Sequence, residues 1–351
     1  MLKASCIVLL ASLLVMLSHA DSVDDLVKRE MKTRRIQGAV VGVIQNGKVV
    51  KKRTYGFANI ELGVKMRVDS VFEIGSITKQ FTATLIMMGV EEGKLRLDQP
   101  ISDILPGLPE AWKPITVRHL LGHMSGLKNI NDLPNYGIYD ELDYAKFIAG
   151  LKDLPLEFEP GTRYAYRNTG YCLAGYIIEQ LWHKPYWEVL NERIFKPLKM
   201  TRSEARNPRK IIKNRVAGYS IEKDTLVNRG TNLTDISSAG AIASNLDDLI
   251  KWNTAIDNGK LLKPESQNQM WTSNTLTDGK LTNYGLGWGI NTYRGVRLIS
   301  HGGSTAGFSA SISKFVDQKI TVIVLTNCET LNNATDIARA IAGVYIQFPA
   351  K

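Results

Sequence analysis

Ser76-Ile77-Thr78-Lys79 opens an apolar helical run, Tyr166-Arg167-Asn168 follows 90 residues later, and His301-Gly302-Gly303 lies towards the end of the chain. A serine hydroxyl is a weak nucleophile at neutral pH. It needs a base within reach and donors aimed at the oxyanion that develops during attack. The three segments contain both kinds of group, and the chemistry they spell is acyl transfer through a serine.

Spacing alone does not choose the serine, because S-x-x-K also occurs at Ser125–Lys128, Ser220–Lys223 and Ser311–Lys314. Only Ser76 stands where an extended segment, Val71-Phe72-Glu73-Ile74, meets a predicted amphipathic helix with Ile77, Phe81, Leu85 and Met88 at three- and four-residue steps and Gly93 as a stop. Free backbone N–H groups and the positive end of the helix dipole favour a developing negative charge there. A spacing of three puts Lys79 on the same face, one turn along. The competing reading is a plain N-cap serine followed by a surface lysine.

The elements that must carry these segments come from both ends of the chain. Ala39–Gln45, the Asn46-Gly47 turn and Lys48–Tyr55 predict a β-hairpin. Strand patterns return at Gly285–Asn291, Phe308–Val316 and Ile320–Thr326, before a final helix from about Asn332 to Tyr345. Between them lie helical patterns joined by loops such as Leu105-Pro106-Gly107 and Glu159-Pro160-Gly161. The expected fold is α/β (α+β): an antiparallel β-sheet flanked by helices, built from residues 21–90 and 208–351, with a mostly helical domain inserted at 91–207. A cleft between the two parts is the natural place for a site.

The 351 residues are 44% hydrophobic and 22% charged, the composition of a folded protein with a large core. Residues 1–20 carry one charge, Lys3, then an apolar stretch from Ala4 to Leu17 and a Ser18-His19-Ala20 end. This predicts a signal peptide cleaved after Ala20, with the mature chain secreted or periplasmic and no stable membrane anchor left after cleavage. The formal net charge of +10 is spread in short clusters such as Lys51-Lys52-Arg53, without an aromatic platform, so nucleic acid is not an expected partner. Cys172 and Cys328 survive cleavage, and the sequence leaves their pairing open.

Taken in order, S-x-x-K, Y-x-N and H-x-G resemble the serine β-lactamase and penicillin-binding-protein superfamily, most of all its class C and esterase-like branch, which includes D-Ala-D-Ala carboxypeptidases. Further blocks strengthen the likeness: Phe72 to Lys79, His119-Leu120-Leu121-Gly122-His123-Met124-Ser125-Gly126-Leu127, Glu159-Pro160-Gly161, Tyr284-Gly285-Leu286-Gly287-Trp288, and His301 to Thr305 with Gly307-Phe308. The resemblance implies a β-lactamase/transpeptidase-like fold and no cofactor. It implies Ser76 as nucleophile and acyl carrier, with Lys79 and Tyr166 sharing the proton transfers; which of them is the base stays open. Asn168 would point at Lys79 or at the substrate amide. The oxyanion hole would be the backbone N–H groups of Ser76 and Ser304, with His301, Gly302 and Gly303 lining the substrate strand. Two departures stand out. His301 replaces the usual lysine, so a substrate carboxylate meets no permanent cation, and Arg167 replaces a small residue inside Y-x-N.

His119 and His123 are four apart, but there is no H-E-x-x-H and no third ligand, so no metal is expected. There is no G-x-S-x-G, which argues against an α/β-hydrolase fold. Asn232 and Asn333 begin N-x-T sequons. The leading expectation is an exported serine hydrolase for a D-amino-acid peptide, a cell-wall peptide, a small ester or, weakly, a β-lactam. The alternatives are a penicillin-binding sensor that traps an acyl group without releasing it, and a scaffold module of the same fold. Oligomeric state is not legible.

Overall fold

The computed structural model describes residues 22–132, 143–207, 210–230, 237–329 and 333–349. The leader and the Asn232 sequon lie outside them. Seven strands form the main sheet in the order 64–65, 48–59, 38–45, 320–326, 308–315, 296–305 and 289–293, all antiparallel. The hairpin at its start turns where expected. Asn46 and Gly47 have φ of 51° and 75°, the left-handed pair that a two-residue turn needs to match strand twist. The Gly38–Gln45 strand then pairs with Ile320–Thr326, with Ala39 opposite Thr326, so the two ends of the chain close one sheet.

The central strands read as continuous apolar runs because both faces are covered. On one face Val41, Val43, Val322 and Val324 pack with Val23 and Val27 of the first helix (22–34) and Ile337, Ala338 and Ile341 of the last (Asn333–Tyr345). On the other, Val40, Ile323 and Leu325 meet Leu246, Leu249 and Trp252 of the Leu246–Asp257 helix and continue into the core around the Thr78–Glu91 helix. No helix of the described residues is long and apolar enough to cross a membrane.

Three expectations change. The Thr78–Glu91 helix is buried from Thr78 through Gly89, not along one amphipathic stripe. Its polar side chains are accommodated by hydrogen bonds, Thr82 Oγ1 donating to the Ser238 carbonyl at 2.6 Å and Thr84 Oγ1 to that of Gln80 at 2.8 Å. Ser76 does not cap this helix; it sits in a 3₁₀ turn, Gly75–Ile77, and no side chain caps either element. The strand expected from Gly285 begins at Gly289. Residues 284–288 turn instead, and a side chain on Gly287 (φ 79°) would come within 2.8 Å of the Lys79 carbonyl, so the turn lies directly on the nucleophile's helix.

Two small three-stranded sheets were not foreseen. One joins Phe72–Glu73, Ile242–Ser244 and Glu204–Ala205; the other joins Cys328–Glu329, Gly218–Glu222 and Thr225–Arg229. Between residues 91 and 203 the described chain is helical and turn-like, its Asn168–Trp182 helix packed on Thr78–Glu91.

Candidate active site

The first small sheet sets the approach to Ser76. Phe72 and Glu73 pair with Ser244 and Ala243, Ile74 N–H donates to the Ile242 carbonyl at 3.0 Å, and Gly75 then turns the chain at φ 52°. The Val296–Thr305 strand presses against this turn with no room for side chains. A Cβ on Gly75 would lie 2.8 Å from Ser304 N, and one on Gly303 would lie 1.9 Å from the Ile74 carbonyl oxygen and 3.2 Å from Ser76 N. The backbones of Ser76 and Ser304 are thereby neighbours, as a two-amide oxyanion hole requires. Gly303→Ala must move the strand away from the turn; kcat should fall by about 10²-fold or more with a lower Tm, read by steady-state kinetics and thermal melting.

Lys79 is wholly buried, and its Nζ donates to Ser76 Oγ at 3.0 Å, Asn168 Oδ1 at 2.9 Å and the Ala239 carbonyl at 2.8 Å. Among the described residues no carboxylate pairs with it, and burial pulls its pKa from 10.5 down to about 7. The three acceptors fit either protonation state. As ammonium, Lys79 satisfies all three; as amine, it keeps two N–H bonds and accepts from the serine hydroxyl. If neutral Lys79 is the working base, kcat/KM rises with pH through about 7 and levels off above it, because the amine form accumulates on that side. A log kcat/KM profile between pH 5 and 9 measures this.

Tyr166 is half-buried and near the serine, with its hydroxyl oxygen shielded from solvent. Its hydroxyl meets no partner at good hydrogen-bond geometry, and Lys79 Nζ lies 4.9 Å from its ring centre. Burial raises its pKa well above the ordinary tyrosine value, and Ser76 offsets only part of that rise. Tyr166 is therefore protonated where Lys79 is near its titration point.

His301 is 8% exposed. Its Nε2 accepts from the Tyr284 hydroxyl at 2.8 Å and its Nδ1–H donates to the Gly302 carbonyl at 2.5 Å, a pairing that assigns the tautomer. Burial, then Lys79, lowers its pKa to about 4. The third segment thus presents a neutral ring with both nitrogens occupied. Gly302 beside it is exposed.

The Arg167 side chain does not reach Ser76 or Lys79, although its Nη1 donates to the Tyr166 carbonyl at 3.3 Å. Its guanidinium forms an ion pair with Glu157 at 2.9 Å. His119 and His123 are not a ligand pair: His119 Nδ1 accepts from Thr116 N–H at 3.3 Å at the start of the Val117–Leu121 helix, whereas the His123 ring lies 4.2 Å from that of Tyr166. The described residues contain no group of three metal-ligating side chains. Of the other S-x-x-K pairs, Lys314 is held by Asp257 and Asn253, and Ser311 bonds to Ser313. Cys172 and Cys328 are buried and form no disulfide, and Asn333 is 2% exposed, closed to a glycan in the folded chain.

The sequence reading missed three participants. The Ala239 carbonyl on Lys79 is a backbone group, and Ser237-Ser238-Ala239-Gly240 carries no chemical signature. Tyr284 and His123 stand in the sequence only within the 284–288 and 119–127 segments, with no chemical role legible for either.

The chain belongs to the β-lactamase family, whose model matches residues 23–345. It is 27% identical to a penicillin-binding protein of Bacillus subtilis (strain 168) over 81% of this chain and 67% of that one. It is 30% identical to a D-aminopeptidase of Brucella canis over 89% of this chain, spanning 60% of the length of that relative. Among solved structures, the octameric penicillin-binding protein homologue from Pyrococcus abyssi superposes with a TM-score of 0.80 at 29% identity, covering 93% of this chain and 77% of that one. The expected β-lactamase/transpeptidase-like fold, with its antiparallel sheet and flanking helices, is the one found.

Proposed function

We propose that the chain is an exported serine hydrolase that cleaves an amide or ester through an acyl-enzyme on Ser76. The observation that carries this is the Lys79 amine, 3.0 Å from Ser76 Oγ in a site that holds its pKa near 7. Neutral Lys79 takes the serine proton as Oγ attacks the carbonyl carbon, and the N–H groups of Ser76 and Ser304 receive the oxyanion. Tyr166 gives its proton to the departing amine or alkoxide and is reprotonated by the Lys79 ammonium; water, losing a proton to the restored Lys79 amine, then attacks the ester on Ser76, and that proton returns to Ser76 Oγ as the acid leaves. Asn168 keeps Lys79 aimed. His301, Gly302 and Gly303 line the strand on which the substrate lies.

A neutral His301 with both nitrogens engaged offers nothing fixed to a substrate carboxylate. Small D-amino-acid amides, the amino-terminal ends of D-amino-acid peptides and small esters are therefore favoured over β-lactams. The names of the D-aminopeptidase relatives point the same way. The penicillin-binding relatives support a second reading, an acyl trap with slow release.

The test incubates the exported protein with D-alanine p-nitroanilide and its L enantiomer, p-nitrophenyl butyrate and nitrocefin, following product and intact mass. Hydrolysis of a D-amide or ester with a transient adduct supports the hydrolase, and a mass beginning at Asp21 supports export. A lasting adduct without product supports the trap; rapid nitrocefin hydrolysis overturns the argument from His301.

A further inference from the structure

We propose that His123 is the positioning residue for Tyr166, holding the backbone on both sides of it and the ring itself. The inference rests on Tyr166 acting in the proton transfers as proposed above.

Three contacts converge. The His123 carbonyl accepts from Ala165 N–H at 2.9 Å, and its Nδ1 accepts from Arg167 N–H at 3.2 Å, so the residues before and after Tyr166 are both tied to one residue. The imidazole then lies against the Tyr166 ring, centroids 4.2 Å apart and planes 35° from parallel. Neighbouring contacts extend the tie. Met124 O accepts from Gly161 N–H at 2.8 Å and Gly126 O from Glu157 N–H at 2.7 Å, so residues 123–126 template the segment leading into Tyr166.

One residue can present its carbonyl and its ring to the same segment because His123 is left-handed, with φ 58°. That conformation is uncommon for a residue with a side chain and favours glycine or asparagine. A glycine would keep the turn and lose the ring; a strained histidine at a site is the pattern expected where the side chain is needed. With Nδ1 accepting, the imidazole is neutral. Burial and the nearby Lys79 and His301 favour that form. Tyr171 and Tyr284, at 5.2 and 4.8 Å between ring centres, close two other sides and leave the imidazole little freedom.

The test is a double-mutant cycle. His123→Asn keeps a residue tolerant of the left-handed backbone and an acceptor for Arg167 N–H, but removes the ring. Tyr166→Phe removes the hydroxyl that needs positioning. kcat and KM are measured for D-alanine p-nitroanilide, or for p-nitrophenyl butyrate if only the ester is turned over, with thermal melts of all four proteins. His123→Asn should lower kcat by about 10²-fold with little change in KM, since misplacing a catalytic group by about 1 Å costs that much. In the Tyr166→Phe background the same substitution should cost less than about 3-fold, because the two residues act as one unit. An equal loss in both backgrounds, or wild-type kcat in His123→Asn, overturns the proposal; His123→Gln replaces Asn if that variant does not fold. Turnover unaffected by Ser76→Ala, or no turnover of any probe, instead overturns the hydrolase reading and this inference with it.

Discussion

Ser76→Ala is expected to lower kcat by about 10⁴- to 10⁶-fold while leaving a folded protein, the scale seen when a nucleophile is removed from a serine hydrolase. The loss is that large because nothing nearby can take over. Among the described residues, Ser76 is the only one of the four serines in an S-x-x-K pair whose hydroxyl contacts its lysine; the other side chains around Lys79 are an amide, tyrosines, neutral histidines and the Cys172 thiol, which is buried within the Asn168–Trp182 helix. The fold should survive, because Ser76 lies in a 3₁₀ turn fixed by backbone contacts, and the hydroxyl's bond is to Lys79, which keeps Asn168 Oδ1 and the Ala239 carbonyl. Intact mass after incubation with substrate is the decisive readout. Wild-type protein should gain the acyl mass and Ser76→Ala should not; an adduct of equal yield in the variant would place the nucleophile elsewhere.

What could be read from the sequence follows the range of the interaction. The Asn46-Gly47 turn and the last helix are set by local backbone preference and side-chain pattern and lie within a residue or so of expectation, although the hairpin's second strand runs on to Asn59, four residues past Tyr55. The meeting of the two chain ends in one sheet followed from strand patterns with nothing else to pair with. The small sheets were hidden because pieces of two to five residues from distant regions show no period. Ser304 and Gly303 could be named from resemblance, yet their closeness to Ile74 and Ser76 is a matter of tertiary packing. The full burial of the Thr78–Glu91 helix was masked by its threonines, which read as a polar face until their carbonyl partners are known.

The site residues divide in the same way. Lys79, Tyr166 and Asn168 have side chains whose chemistry is printed in the sequence. Their protonation is not, because it depends on what surrounds them. Lys79 and Tyr166 are both stripped of water, and burial acts on them in opposite directions, pulling the lysine down and pushing the tyrosine up. In the proposed reaction this favours Lys79 as the base and Tyr166 as the acid, a pair that spacing had left interchangeable. Arg167 shows the reverse case: a cation inside the motif looked disruptive, and Glu157 draws it aside.

Lys79→Met tests that assignment through both activity and stability. Removal of the amine should lower kcat by about 10³- to 10⁴-fold, near the upper end for loss of a general base, since the other group beside Ser76 Oγ, Tyr166, holds its proton at pH 7 and cannot take the serine's. The stability change depends on pH, and its sign follows from the direction of the shift. The folded pKa of about 7 lies below the ordinary 10.5, so between those values the unfolded chain binds a proton that the folded chain does not. Wild-type stability relative to Lys79→Met therefore rises with pH across that window, approaching the one-proton slope of about 1.4 kcal/mol per pH unit. Below pH 7 both states are protonated and the difference is flat. The methionine leaves Asn168 Oδ1 and the Ala239 carbonyl without this donor, which lowers the variant's stability by a similar amount at every pH and does not alter the slope. Chemical denaturation of both proteins at pH 7, 8 and 9 separates the two effects. Parallel stability curves would mean that Lys79 titrates at its ordinary value in the folded chain, and the role of base would then pass to Tyr166 as its tyrosinate, with the Lys79 ammonium beside it.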